Sequence, residues 1–353
     1  MAMSKRLAWT LVLVVLIVGA AGFAGASDGK VYRVGYLEGG QYWAFDKIFG
    51  AFQKSLGTEG LADRVAYPED ARFSPGWEAD DEAMFSAADK LMARDDLDLI
   101  VAMGTTAASV LLERNNGTTP ILGMGVSDPV KAGLIPNEQD SGTDNFTVRI
   151  LPDRWKVMFN IFHEIVRFDK LGVLYPNTEA GHTYTNLVDA REVARERGFE
   201  LLEYSSISSA ETTEECLKGL KALRARGMDA FFIPALNSFD WSTSDVQVLY
   251  EYLIQEGIPT FARDGSEQVK GGALLGFSTL DFGSTGLFLA RNAVRILEGE
   301  LPRSLNMTDV NYPSTALNFA VADAIGFDFS LDELISADEI YLKIEPPKDR
   351  KYQ

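Results

Sequence analysis

One cysteine, Cys216, and two histidines, His163 and His182, are all that 353 residues supply of the side chains that most often hold transition metals or attack substrates. A single cysteine excludes an intrachain disulfide, and a histidine pair without CxxC or HExxH spacing gives no zinc site. Basic residues are also scarce, 33 Lys and Arg against 51 Asp and Glu, for a formal charge of −18. A chain so acidic is poorly suited to tracking nucleic-acid phosphates or docking on anionic lipid. No GxGxxG follows a strand, and neither a GxxxxGK[ST] loop nor a GxSxG elbow occurs. Dinucleotide, nucleoside-triphosphate and serine-hydrolase chemistry therefore lack their usual signatures. The expectation is a protein without metal ion, cofactor or catalytic residues, which leaves small solutes and protein partners.

Long apolar runs are confined to the N-terminus. Lys5 and Arg6 precede an apolar stretch from Leu7 to Val18, and Ala24-Gly25-Ala26 closes it. That three-part order is the pattern of a cleavable secretory signal, expected over residues 1–26, and it directs the protein to the periplasm. No cysteine stands at the cleavage point to carry a lipid anchor. Cleavage removes two positive charges and takes the formal charge from −18 to −20. Cys216 lies in a helical pattern and is expected to be a buried small hydrophobe. His163, in WKVMFNIFHEIVRF, is expected to be a helix residue rather than a general base.

Beyond the leader, short apolar strands alternate with amphipathic helical patterns, the signature of a parallel α/β sheet. The order then recurs. Gly35 and Gly172 mark the first strand of each half, 172 − 35 = 137 positions apart. Asp98 and Asp229 open the central strands, 131 apart, and Pro120 and Pro259 open the next, 139 apart. A nearly constant offset implies two similar lobes. Ligands of open parallel sheets sit beyond the carboxyl ends of the strands. The segments to inspect are therefore 38–43, 104–107, 126–129, 175–183, 235–241 and 262–267, all read as loops. They mix aromatics with hydroxyls, amides and carboxylates, as ligand pockets do.

Several segments resemble the substrate-binding proteins of ABC transporters, and within them the type I periplasmic family of TrpX-like, tryptophan- and tyrosine-binding proteins. They are DLIVAMGTTAASVLL, PILGMGVSDPVKAGL, KLGVLYPNTEA, IPTFARDGSEQVKGGALLGFS and LNFAVADAIGFDFSLDELISADEI. The resemblance implies two Rossmann-like α/β lobes with parallel sheets joined by a hinge. Lobe one would comprise residues 27–148 plus about 279–306, lobe two 149–278 plus about 307–345, with 346–353 as a tail. It implies a monomer that captures a small molecule, first choice an aromatic or branched amino acid, and delivers it to a membrane permease. A sensor coupled to a histidine kinase or chemoreceptor, and a secreted hydrolase using cleft carboxylates, are the alternatives.

The expected ligand contacts are Tyr42, Trp43, Thr105, Thr106, Ser127, Asp128, Tyr175, Glu179, His182, Asn237 and Asp264. Thr105 and Thr106 open a helix, whose N-terminal N–H groups favour an anionic group. Asp128 or Glu179 would accept from an ammonium. Asp128 as a helix cap is disfavoured, because Gly133 and Pro136 leave the following segment little helix. Where the family commonly carries an aspartate in Thr-Asp-Asn, this chain reads Ala235-Leu236-Asn237-Ser238, with Asp240 nearby as the substitute.

Overall fold

A computed structural model describes residues 29–76, 81–278, 281–310 and 314–352. The leader lies outside them. In chain order the elements are β1 (Tyr32–Glu38), α1 (Trp43–Leu56), β2 (Val65–Ala66), β3 (Arg72–Phe73), α2 (Asp81–Met92), β4 (Leu99–Met103), α3 (Gly104–Glu113), β5 (Ile121–Met124) and β6 (Phe146–Val148). Then come α4 (Arg154–Val166), β7 (Lys170–Pro176), α5 (Glu179–Tyr184), α6 (Leu187–Arg197), β8 (Glu200–Ile207), α7 (Thr213–Ala225), β9 (Ala230–Ile233), α8 (Val246–Gln255), β10 (Thr260–Ala262), α9 (Ser266–Gly271) and β11 (Leu275–Phe277). The chain closes with α10 (Asp281–Leu297), β12 (Thr315–Asn318), α11 (Phe319–Ile325), α12 (Leu331–Ser336) and β13 (Glu339–Tyr341).

Among the described residues the strands form two sheets. The first runs β2-β1-β4-β5-β6, with β3 also against β1; the second runs β13-β12-β11-β10-β9-β7-β8. Every described pairing between these strands is parallel except β11 with β12. That antiparallel pair departs from the all-parallel expectation. The strand that returns after α10 enters the sheet from the opposite end. Central strands β4, β5 and β9 are buried along their whole length, as parallel strands covered on both faces must be.

The internal repeat has a physical basis. A Cβ on Gly35 of β1 would stand 2.9 Å from Leu91 and Leu97 side-chain atoms, and one on Gly172 of β7 would stand 2.1 Å from the Met228 sulfur. Both glycines let the residues that lead into the neighbouring strand pack flat against the sheet. The Asp98 carboxylate accepts from the Arg33 N–H at 2.8 Å, and the Asp229 carboxylate accepts from the Lys170 N–H at 2.8 Å. The carbonyls of Pro120 and Pro259 accept from Ile100 and Phe231 at 2.8 and 3.0 Å. Each repeated residue thus performs the same task in its own sheet.

Three passages connect the halves: from β6 to α4, from β11 to α10, and from α10 to β12. The first and third run side by side. Ile150 donates to the Met307 carbonyl at 2.7 Å, and Asp309 donates back to Ile150 at 2.8 Å. Arg149 pairs with the buried Asp309 carboxylate at 2.7 Å. No helix among the described residues is long and apolar enough to cross a membrane.

Candidate functional site

In each sheet the chain departs in opposite directions from one central strand, between β1 and β4 in the first and between β7 and β9 in the second. Loops diverge beyond the carboxyl ends of such strands and leave a crevice. Here the two crevices face one another across a cavity of about 290 Å³. The first lobe contributes Gly39, Tyr42 and Phe45 from the β1–α1 turn, Gly104, Thr105 and Thr106 from the start of α3, and Gly125 and Ser127 beyond β5. The second contributes Thr178, Ala180 and Tyr184 around α5, Ser209 and Glu211 after β8, Ala235 and Asn237 after β9, and Arg263 after β10.

Gly104 starts α3 with a left-handed φ of 83°, and a Cβ there would lie 2.6 Å from the Phe45 ring. Glycine thereby lets the β4–α3 turn fit under the Phe45 side chain. The N–H groups of a helix's first turn have no partner within the helix, so Thr105 and Thr106 bring donors to the cavity wall. The Ser127 N–H lies 3.5 Å from the Thr105 hydroxyl.

The lobes meet directly beside this cavity. The Tyr42 hydroxyl donates to Asp264 at 2.7 Å, and the Trp43 N–H donates to Asp240 at 3.1 Å. Asp240 also accepts from the Ser242 N–H and hydroxyl at 2.8 and 2.7 Å, so the acid expected near the cavity serves the start of α1 instead. Burial raises its carboxyl above the ordinary aspartate range. Burial beside Asp264 likewise pushes the Tyr42 hydroxyl well up, which keeps it a neutral donor.

Arg263 is 7% exposed and ties several of these groups together. It donates to the Tyr184 carbonyl and, at 3.0 Å, to the Ser127 hydroxyl; its Nε lies 3.2 Å from Asp264, and its guanidinium covers the Trp155 ring at 4.4 Å. Trp155 in turn donates its indole N–H to the Ser127 carbonyl at 2.7 Å. Arg263, Tyr42, Phe45 and Ser127 also border a smaller inner cavity of about 100 Å³, near Arg149 and Arg154.

Of the residues named from sequence, Tyr42, Thr105, Thr106, Ser127 and Asn237 line the central cavity, and Asp264 lines the inner one. Trp43 packs its ring edge-on to Phe282 at 5.9 Å. Tyr175 is buried and donates to Glu203 at 2.6 Å. Asp128, Glu179 and His182 share a separate recess with Lys131 and Asp189. The loop expected at 175–183 is instead the end of β7 followed by helix α5, because the Thr178 hydroxyl accepts from the Gly181 N–H at 2.9 Å and caps the turn. Asp128 does cap, though not a helix: its carboxylate accepts from the Lys131 N–H at 3.0 Å and closes a turn. Lys131 then reaches across the lobes to the buried Asp189 at 2.5 Å.

Sequence reading missed Glu211, Tyr184, Arg263 and Phe45. Glu211 stands in SSAETTEE, where it looks like one more acid leading into α7. In the structure it is 3% exposed, accepting from the Tyr184 hydroxyl at 2.6 Å and the Asn237 N–H at 2.7 Å. Burial pushes its carboxyl up to about 7 despite both bonds. Cys216 and His163 sit as expected, the thiol fully buried in α7 and the imidazole packed between Phe168 and Phe199 on α4.

The family model described as ABC transporter substrate binding protein matches residues 43–340. The chain is 23% identical over 320 residues to a tyrosine-binding protein of Clostridioides difficile, spanning 89% of this chain and 85% of the relative. Among solved structures it resembles an ABC domain from Streptococcus pneumonia in complex with L-Trp, with TM-score 0.73, 18% identity, and coverage of 88% of this chain and all of that one. The ligand-free, open structure of a substrate-binding protein with adhesive properties from Clostridium difficile matches with TM-score 0.61 and 23% identity, over 89% of this chain and all of that one. A periplasmic ribose ABC transporter protein from Conexibacter woesei has the same general fold at TM-score 0.54 and 13% identity, with 85% of this chain and 95% of that one covered. Two mostly parallel α/β lobes, a cavity at both sheets' switch points and a family match over most of the chain agree: this protein belongs to the ABC transporter substrate-binding protein family.

Proposed function

We propose that this protein is a periplasmic receptor that encloses one amino acid, aromatic or branched, between its lobes and presents it to an ABC permease without changing it chemically. The observation that carries this reading is the central cavity, walled by both lobes at the switch points of both sheets. Tyr42, Phe45 and Tyr184 with Met84 and Met103 give it an apolar part, and the start of α3 gives it donors for a carboxylate. The names of the tyrosine-binding relative and of the L-Trp complex support the same ligand class.

Thr105, Thr106, Tyr42, Ser127 and Asn237 are the expected contacts that remain at this cavity. The monomeric protein is exported by its leader, cleaved after Ala26. Its hinge includes the paired passages at 149–153 and 306–310. A ligand favours closure only through contacts with both lobes, because equal affinity for open and closed forms shifts nothing. A thermal-shift screen of the mature protein against the twenty amino acids, sugars and short peptides tests the reading. An aromatic or branched amino acid should raise Tm as RT ln(1 + [L]/Kd) requires. A shift by sugars alone rejects the ligand class, and turnover of the bound solute rejects the non-catalytic role.

A further inference from the structure

Glu211 stands where the chain leaves β8 for α7, and its setting differs from that of the other acids near the cavity. It is 3% exposed, yet it borders the central cavity. Its backbone is left-handed, φ 50°, a conformation that disfavours any residue with a Cβ. Two neutral donors hold the carboxylate, the Tyr184 hydroxyl at 2.6 Å and the Asn237 N–H at 2.7 Å. Asp264 has Arg263, Asp189 has Lys131 and Asp309 has Arg149. Glu211 has no such cation among the described residues. A buried carboxylate without a counter-charge is expensive, and neutral hydrogen bonds orient it without neutralising it. The cavity is the side from which a cation can arrive.

We propose that Glu211 is the receptor for a protonated amine on the captured solute, and that seating this amine expels the proton of the Glu211 carboxyl group. The balance is simple: a carboxylic acid and an ammonium enter, and a carboxylate–ammonium pair and one hydrated proton result. The proposal rests on the solute-binding reading above and names the group that this part of the site takes.

The neighbouring groups are arranged to let Glu211 exchange its proton. Burial holds its carboxyl at about 7, so both forms are populated near neutrality. Tyr184 on α5 is pushed far up by burial and by Glu211, and stays a neutral donor. Cys216 on α7 is raised to about 12 by burial and stays a neutral thiol. Glu215, also on α7, adds like charge that favours the protonated form of Glu211. Arg263 from the end of β10 and Asp81 from α2 border the same cavity. The guanidinium is engaged by Asp264, Ser127 and the Tyr184 carbonyl.

The test is calorimetric titration of the mature protein with L-tyrosine, L-tryptophan, tyramine and phloretic acid from pH 5 to pH 8. For the amine-bearing solutes Kd should fall about tenfold per pH unit up to roughly pH 7 and then level off, with about one proton released per binding event well below that pH and almost none above it. The heat should therefore vary with the ionisation enthalpy of the buffer. Glu211→Gln keeps one oxygen to accept from the Asn237 N–H, and its amide N–H can donate to the Tyr184 hydroxyl in place of the bond that group now gives; it should abolish the slope and weaken amine binding at pH 8 at least tenfold, without lowering Tm. Amino-acid binding with a flat pH profile, or unweakened by Glu211→Gln, overturns the assignment while leaving the amino-acid reading intact. Binding of tyramine with the expected slope but of no amino acid upholds Glu211 and overturns that reading. If only phloretic acid binds, or no amine-bearing solute does, both fall.

Discussion

The two walls of the central cavity are made of different materials. Around the ends of β1, β4 and β5 the first-lobe wall is mostly glycine, threonine and serine, so that backbone and small hydroxyls face the space; Tyr42, Phe45, Met84 and Met103 add apolar surface, and Asp81 at the start of α2 is its one charged residue among the described residues. The second-lobe wall carries Glu211, Arg263, Tyr184 and Asn237, side chains whose charge or hydrogen bonding defines their role. A wall of backbone donors offers fixed partial charges that do not titrate, and its weak point is steric. A wall of buried ionisable groups is sensitive to pH and to charge substitution. Perturbations should therefore sort by wall.

The largest effect is expected on the first wall. Gly104→Ala would force a Cβ against the Phe45 ring and hold alanine at a φ of 83°. It should cost about 2–4 kcal/mol in urea unfolding and weaken ligand binding as well. A neutral result would mean that the start of α3 is not tightly set.

On the second wall the expected sign is opposite. The folded-state pKa of Glu211, about 7, lies above the ordinary value of 4.5. Between those values the folded protein keeps a proton that the unfolded chain has lost, so stability falls as pH rises through that window and levels off above it. Glu211→Gln should therefore stabilise the unliganded protein by about 2 kcal/mol at pH 8 and by almost nothing at pH 4. Equal melting at both pH values would remove the contrast between the walls.

The seam between the lobes comes next. Lys131→Ala leaves the buried Asp189 carboxylate without its partner. Burial already raises the Asp189 pKa despite that partner. The variant should lose about 1–2 kcal/mol at pH 7 and recover as acid protonates Asp189; small-angle scattering should show a wider molecule. Asp128→Ala should do least, under about 1 kcal/mol, since a partly exposed carboxylate closing one turn contributes little. A tenfold loss of affinity in that variant would return Asp128 to the ligand's surroundings.

The sequence made the repeat legible because its marker residues have local duties. Gly35 and Gly172 clear space for a neighbouring side chain, and Asp98 and Asp229 each bind the backbone of the adjacent strand. Thr105 and Thr106 were legible for a similar reason, as they follow directly from a buried strand into a helix. Glu211 was not. What distinguishes it from Glu214 or Glu215 is burial between two elements far apart in sequence, β9's exit and α5, and spacing carries no trace of that. Asp128 is the converse case. Its motif is conspicuous in the sequence, and the structure puts it in a turn bordering the recess it shares with Glu179 and His182, while the central cavity is lined by its neighbour Ser127.

The buried Cys216 has a practical consequence. Its thiol is shielded inside α7 and raised to about 12, so thiol reagents have little access to it and little thiolate to attack. A cysteine introduced at an exposed position on the cavity rim, such as Ser209→Cys, would then be the single point of labelling. An environment-sensitive dye attached there turns lobe movement into an optical signal, and makes the protein a reagentless solute sensor without first removing any native residue.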